Sequence, residues 1–234
     1  MAAIFKREFK SFFTTPLGYV ILIIFNVFSG VQFWFGTLYS DTVDMSPVFN
    51  GFTVIVLSAI PILTMRLFSE ERRQKTDQAL LTAPVSLVGI VMAKFFAAFL
   101  LYVIGISITL VYSIVLAFIA QPTWGYILGN YLGLLLVGAA LIAVGIFISS
   151  VTENQLVAAM ISYATLFMLL MLGNFATLIP VPFLASLLYK LSFQLRYDAF
   201  VSGIVSLSNV MFFLNATVIC LFLTTRVLEK RRWG

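Results

Sequence analysis

Apolar runs of about 20 residues recur along almost the whole of this 234-residue sequence, and they decide which solvent it folds in. Such a run is what an α-helix needs to cross a hydrocarbon core of about 30 Å. Only 10% of the residues are charged and 62% are hydrophobic. A soluble domain carries roughly 25% charged residues, so this chain could not cover a water-facing surface. The runs are also too long for the alternating segments of about ten residues that build a transmembrane barrel. The expectation is an all-α polytopic membrane protein, one transmembrane domain over residues 1–234 with no soluble domain left over.

Six spans are expected, at about 17–38, 48–67, 85–120, 126–149, 156–172 and 204–225. Pro16 opens the first, and Pro61 predicts a kink in the second. The third is too long for the membrane, about 54 Å at 1.5 Å per residue. Its first turns are therefore expected at or beyond the surface, with Lys94 snorkelling to water. Residues 183–203 follow Pro180 and Pro182 and carry Lys190, Arg196 and Asp198; they read as short helical pieces on the outer surface. Residues 3–14 place Phe5, Phe9, Phe12 and Phe13 on one stripe, with Lys6, Arg7 and Lys10 off it. Two readings stay open there: an amphipathic helix lying in the interface, or a plain basic flank before the first span.

Charge sets the orientation. Lys6, Arg7 and Lys10 lie near the N-terminus, and Arg66, Arg72, Arg73, Lys75 and Lys94 lie in or beside the insert after span two. With Arg226, Lys230, Arg231 and Arg232 they make up 12 of the 14 basic residues. The opposite side holds Lys190 and Arg196 against Asp41, Asp44 and Asp198. Basic loops stay in the cytoplasm, so both termini and the insert are expected there. Trp34, Trp124 and Trp233 fall near span ends, as an aromatic belt requires.

The same residues exclude much chemistry. There is no histidine, which removes Ser-His and Cys-His pairs and histidine metal sites together. Cys220 is the only cysteine, so no disulfide can form within the chain. No Gly-Lys dipeptide occurs, and with it goes the phosphate-binding loop of P-loop ATPases. The chain is expected to be no enzyme and to bind neither metal nor cofactor itself. Its bases flank spans rather than pave a folded face, which argues against a nucleic-acid partner. The spans hold essentially no acid, leaving little for ion-coupled transport.

Uncharged polar residues do occur in the spans. Asn26, Ser29, Thr53 and Ser58 either bond helix to helix or form a mildly polar wall of a translocation path, suited to an amphipathic or lipidic substrate. Gly125, Gly129 and Gly133 begin a small-residue series that Gly138 and Gly145 extend. It favours close helix packing, within the subunit or between subunits.

The most informative stretch is "FSEERRQKTDQALLTAPVS", residues 68–86. A helix from Glu70 to Ala83 is expected, with Ser69 as N-cap, Glu70 and Glu71 in the first turn, and Pro84 as the stop. Its charges lie toward the start and Ala79, Leu80, Leu81 and Ala83 toward the end, which suits a helix half seated on the surface and half presented to a partner. The alternative is a solvated turn that only fixes topology.

The stretch resembles the cytoplasmic segment between spans two and three of ABC-2 type transporter permeases. Glu70, Glu71, Arg72, Thr76, Leu80, Leu81, Pro84, Val85 and Ser86 follow that pattern in order, with Lys75 where the pattern has glycine. "FKREFKSFFTTPLGYV", "GIFISSVTENQLVA" and "RVLEKRRW" extend the likeness over most of the chain. The gliding-motility F-type permeases and their relatives in non-gliding bacteria are the group it is most similar to.

The resemblance implies an exporter permease in the bacterial inner membrane. Two such subunits, identical or a sister pair, would join two cytosolic ATP-binding cassette subunits that hold ATP and Mg, with accessory membrane or periplasmic proteins as further partners. It implies that Glu70, Glu71, Arg72, Arg73, Thr76 and Asp77 form the coupling contact to the ATPase, with Glu153 in the next short turn beside it. The competing functional reading is a non-transporting scaffold that anchors a cytosolic complex through the same surface.

Overall fold

The computed structural model describes residues 1–40, 42, 44–76, 85–119 and 124–233. Thr15 ends α1 (Ala2–Thr14) in an extended conformation and starts α2 (Pro16–Phe33), whose first position is the proline. Proline is favoured there because the first N–H of a helix has no partner to lose. A π-helical turn, Trp34–Leu38, completes the first span. The second span is α3 (Ser46–Thr64) continued by α4 (Arg66–Arg73). Pro61 lies inside α3, and the break comes four residues later, at Met65. The third span is α5 (Leu87–Ile106) and α6 (Ile108–Ile119), separated at Ser107. α7 (Trp124–Val151), α8 (Gln155–Leu178) and α11 (Leu207–Trp233) are spans four to six, with α9 (Pro182–Leu191) and α10 (Phe193–Val201) between the last two. Six helical segments are thus long and apolar enough to cross a membrane, and no strand occurs among the described residues.

α7 forms the axis of the bundle: 72% of its apolar window is buried, against 22% for α11. Apolar side chains gain nothing by leaving lipid for protein, so helices associate in a membrane through close packing and hydrogen bonds. The glycines of α7 provide that closeness. Gly129 faces Val205, Gly133 faces Phe200, and Gly145 takes the Thr64 side chain. At Gly138 a Cβ would overlap the ring of Tyr102, whose hydroxyl donates to the Leu134 carbonyl at 2.8 Å. Of the two readings of the glycine series, these positions serve packing within the subunit; Gly125 alone faces open space.

Two expectations change at the far end of the bundle. Span five runs to Leu178 rather than 172, because Asn174 continues the helix and no breaker precedes Pro180. Residues 183–203 are two helices of different character. α9 buries none of its residues, as an outer-surface piece would. α10 instead inserts Phe193, Tyr197 and Phe200, spaced i, i+4, i+7, and the Tyr197 hydroxyl donates to the Phe49 carbonyl at 2.9 Å. The expected breaks at Asp41 and Pro122 lie outside the described residues.

Candidate functional site

The charged stretch after span two is where this fold concentrates polar contacts. Its helix starts earlier than the sequence suggests. Ser69 is not an N-cap: it lies in the middle of α4, fully buried, with its hydroxyl donating to the Met65 carbonyl. The cap comes from another helix. The Ser149 hydroxyl oxygen accepts from the Phe68 and Ser69 amides, at 3.2 Å each, and donates to the Met65 carbonyl at 2.9 Å. These amides belong to the first turn of α4, where intrahelical partners are missing. The sequence carried only a weak sign of this residue, the Ser149-Ser150 pair at the end of an apolar span.

The other end of α4 closes in a tight turn. Gln74 is the C-cap and Lys75 takes φ +57°. The Lys75 amide donates to the Arg72 carbonyl and the Thr76 amide to the Glu71 carbonyl, at 3.1 and 2.9 Å. A left-handed residue after a helix is usually glycine. Lys75 is also where this chain departs from the glycine of the resembled pattern, so the turn geometry persists with a lysine in the glycine's place. Arg72 and Arg73 in the last turn complement the helix dipole.

Three clamps hold α4. On the first, Arg66 donates to Thr15 Oγ1 at 2.9 Å and to Ser11, and its guanidinium covers the Phe12 ring at 5.5 Å. On the second, Lys94 reaches in from α5. The sequence places it in water, but it is 1% exposed. Its ammonium donates to the Leu67 carbonyl at 2.6 Å and pairs with Glu8 at 3.2 Å and Glu71 at 3.0 Å. Snorkelling is unnecessary because α1 and α4 bring three acceptors to it. Arg7 joins the same carboxylates, at 2.7 Å to Glu8 and 2.9 Å to Glu71. Burial works against the Glu8 carboxylate, but Lys94 and Arg7 outweigh it and hold its pKa below the ordinary range. On the third clamp, Arg72 donates to the Val151 carbonyl at 2.9 Å and pairs with Glu153. Arg231 of α11 donates to the Ser150 carbonyl beside it. Both ends of the chain, α4 and the turn after α7 therefore meet at one end of the bundle.

This arrangement sorts the expected contact residues. Glu71 faces inward and is engaged with Arg7 and Lys94, and Arg72 is tied to the turn after α7. Glu70 and Glu153 present side chains 38% and 67% exposed, and Arg73 and Thr76 are exposed as well. Asp77 and the rest of the expected helix, 78–84, lie outside the described residues. In α1 the aromatic stripe divides. Phe12 enters the core, while Phe5, Phe9 and Phe13 form a ladder with centroids 6.0 and 5.3 Å apart.

The four polar residues expected along a path are not brought together. Asn26 is exposed and donates to the Leu22 carbonyl of its own helix. Ser29 is buried and shares a hydrogen bond with Tyr112 of α6 at 3.1 Å. Thr53 turns toward Leu134, Leu170 and Tyr197, and Ser58 donates to the Val54 carbonyl. Asn26, Ser29 and Ser58 thus each donate to a carbonyl of their own helix, and Ser29 also bonds across to α6.

A comparison with curated proteins gave no match. The family model described as ABC-2 family transporter protein matches residues 7–171. That span begins at Arg7 and contains every residue that clamps α4 apart from Arg231, including Glu71, Lys94, Ser149 and Glu153. With six apolar spans arranged around α7 and a match over more than half its length, this chain belongs to the ABC-2 family of transporter proteins.

Proposed function

We propose that this chain, as the membrane-spanning permease subunit of an ABC transporter, receives the work of a separate cytosolic ATP-binding subunit through α4 and the turn at 152–154. The observation that carries the proposal is the Arg72–Glu153 ion pair, backed by the Arg72 bond to the Val151 carbonyl. It makes the two short segments one surface, and Ser149 ties that surface to the axial helix α7. A push on α4 is then a push on spans two and four together. Packed interfaces and discrete polar networks pass such displacements on because they switch between arrangements rather than bend. Glu70, Arg73, Thr76 and Glu153 form the outward contact in this reading. Glu71 and Arg72 act behind it, as the connection into the membrane domain.

The finer reading is an exporter in a bacterial inner membrane, with both termini cytoplasmic and ATP and Mg held by the partner. A second permease copy or a sister subunit completes the membrane unit, and accessory proteins join from the membrane or periplasm. The basic residues gathered at the α4 end support that orientation. The likeness over most of the chain, in "FKREFKSFFTTPLGYV", "GIFISSVTENQLVA" and "RVLEKRRW" as well as 68–86, supports placement near the gliding-motility F-type group.

The test is assembly. Glu70→Lys with Arg73→Glu reverses the charges at these two outward positions. It removes the 4.0 Å Arg66–Glu70 pair but leaves the Arg66 bonds to Thr15 and Ser11 and the Lys94 and Arg72 clamps. The variant should insert in the membrane and fold but lose co-purification with the ATP-binding subunit, together with the ATP hydrolysis of the complex. Unchanged assembly would count against the docking role. ATP-dependent movement of substrate in proteoliposomes of the wild-type complex separates a transporter from a scaffold.

A further inference from the structure

At the same end of the bundle, α5 and α11 leave a groove of about 430 Å³ between them. Val88, Val91 and Met92 wall it on one side, and Val218, Leu221 and Phe222 on the other. Its mouth is different in kind, for Arg226 and Glu229 line it. From Val218 to Glu229 the helix rises about 16 Å, roughly half of a hydrocarbon core of about 30 Å. The groove is therefore about one leaflet long, apolar in its deep part from Val218 to Phe222 and polar toward the end of the bundle, where Thr225, Arg226 and Glu229 line it.

The two charges are held where a lipid headgroup would lie. The Arg226 guanidinium rests 4.9 Å over the Phe222 ring, which fixes it above the groove. One of its nitrogens donates to Glu229 Oε2 at 2.7 Å, and the side chains are 61% and 43% exposed. A pair so exposed is screened by water and contributes little by itself. A guanidinium has five N–H donors and a carboxylate two acceptor oxygens, so each partner keeps capacity for a ligand.

We infer that this groove binds one phospholipid whose headgroup is zwitterionic with a primary ammonium, as in phosphatidylethanolamine. The phosphate takes the remaining N–H groups of Arg226, the ammonium donates to Glu229, and one acyl chain lies between α5 and α11. Charge complementarity sets the choice. A phosphatidylglycerol headgroup offers Glu229 only neutral hydroxyls in place of an ammonium, and a choline headgroup has no N–H to donate to it. This inference goes beyond the coupling role, since it concerns a different face and needs no ATP-binding subunit.

The test uses the purified full-length chain in mild detergent. It is offered equal amounts of phosphatidylethanolamine, phosphatidylcholine and phosphatidylglycerol with identical palmitoyl and oleoyl chains, and the retained lipid is read by native mass spectrometry. Phosphatidylethanolamine should be retained about fivefold over phosphatidylcholine, the scale of one typical net hydrogen bond at a water-screened site. Glu229→Gln should bring that ratio close to one. Arg226→Gln should weaken retention of all three lipids, and so should Val218→Trp, which fills the deep end of the groove from an exposed position. Equal retention of the three lipids by the wild type, dominance of phosphatidylglycerol, or a preference that survives Glu229→Gln would overturn the inference. Because Arg226, Glu229 and Val218 are exposed, the variants keep the fold, which unchanged thermal unfolding verifies.

Discussion

Replacing Lys94 by methionine removes the cation around which α1, α4 and α5 are joined. The ammonium has three acceptors within 3.2 Å, namely the Leu67 carbonyl, Glu8 and Glu71. Without it two carboxylates share one site, and their side chains are only 13% and 17% exposed. Removing one partner of a buried ion pair costs about 3–5 kcal/mol, because the charge left behind stays desolvated. Arg7 still reaches both carboxylates, but it is 58% exposed and is screened by water. The low end, about 3 kcal/mol, is therefore expected. At about 2–4 °C per kcal/mol for a chain of this size, Tm should fall by roughly 6–12 °C. Cys220, the only cysteine and partly buried, makes the assay simple: a thiol-reactive dye reports unfolding directly. A cycle with Glu8→Gln should show coupling of at least about 1 kcal/mol, as neighbours in one network do. If Lys94→Met lowers Tm no more than Lys10→Met at an exposed position, the buried network is wrong.

The same assay checks three further expectations. Lys75→Gly releases a left-handed conformation worth about 1–2 kcal/mol but adds unfolded-state entropy. Its Tm should be equal to or slightly above wild type, whereas Lys75→Val should lower it. Gly138→Ala drives a methyl into the Tyr102 ring and should cost about 1–3 kcal/mol, the range for overpacking. The pH dependence follows from the lowered pKa of Glu8. Stability from this group is complete above the ordinary value of 4.5 and is lost as pH falls below it through the folded value. Glu8→Gln should therefore flatten the acid side of the profile and leave the slope between pH 5 and pH 7, a range set by the linkage relation, roughly unchanged.

The six spans could be read from the sequence because membrane length and low charge are properties of single segments. The importance of α7 was readable too, since its glycines state how closely neighbours must come. The register of α4 was not. Ser69 before two acids is a valid N-cap signal, but Arg66 finds hydrogen-bond acceptors on Ser11 and Thr15, far away in sequence, and the helix extends upstream past it. Lys94 was misplaced for the same reason. Its partners Glu8 and Glu71 are separated from it by 86 and 23 positions, and only tertiary structure makes burial tolerable. Which partners Asn26 and Ser29 take was not legible either: both bond to carbonyls of their own helix, and only Ser29 also meets Tyr112 of α6.

Site-directed photocrosslinking in native membranes addresses the coupling surface most directly. A photoreactive residue at Arg73 or Glu153 should give one adduct of the same mass, and peptide sequencing should identify it as a protein carrying an ATP-binding cassette. The same probe at Phe183 or Leu187 of α9, at the opposite end of the bundle, should give no such adduct. Absence of the adduct at Arg73 and Glu153, or its equal formation from α9, would contradict the claim that α4 and the 152–154 turn receive the ATP-binding subunit.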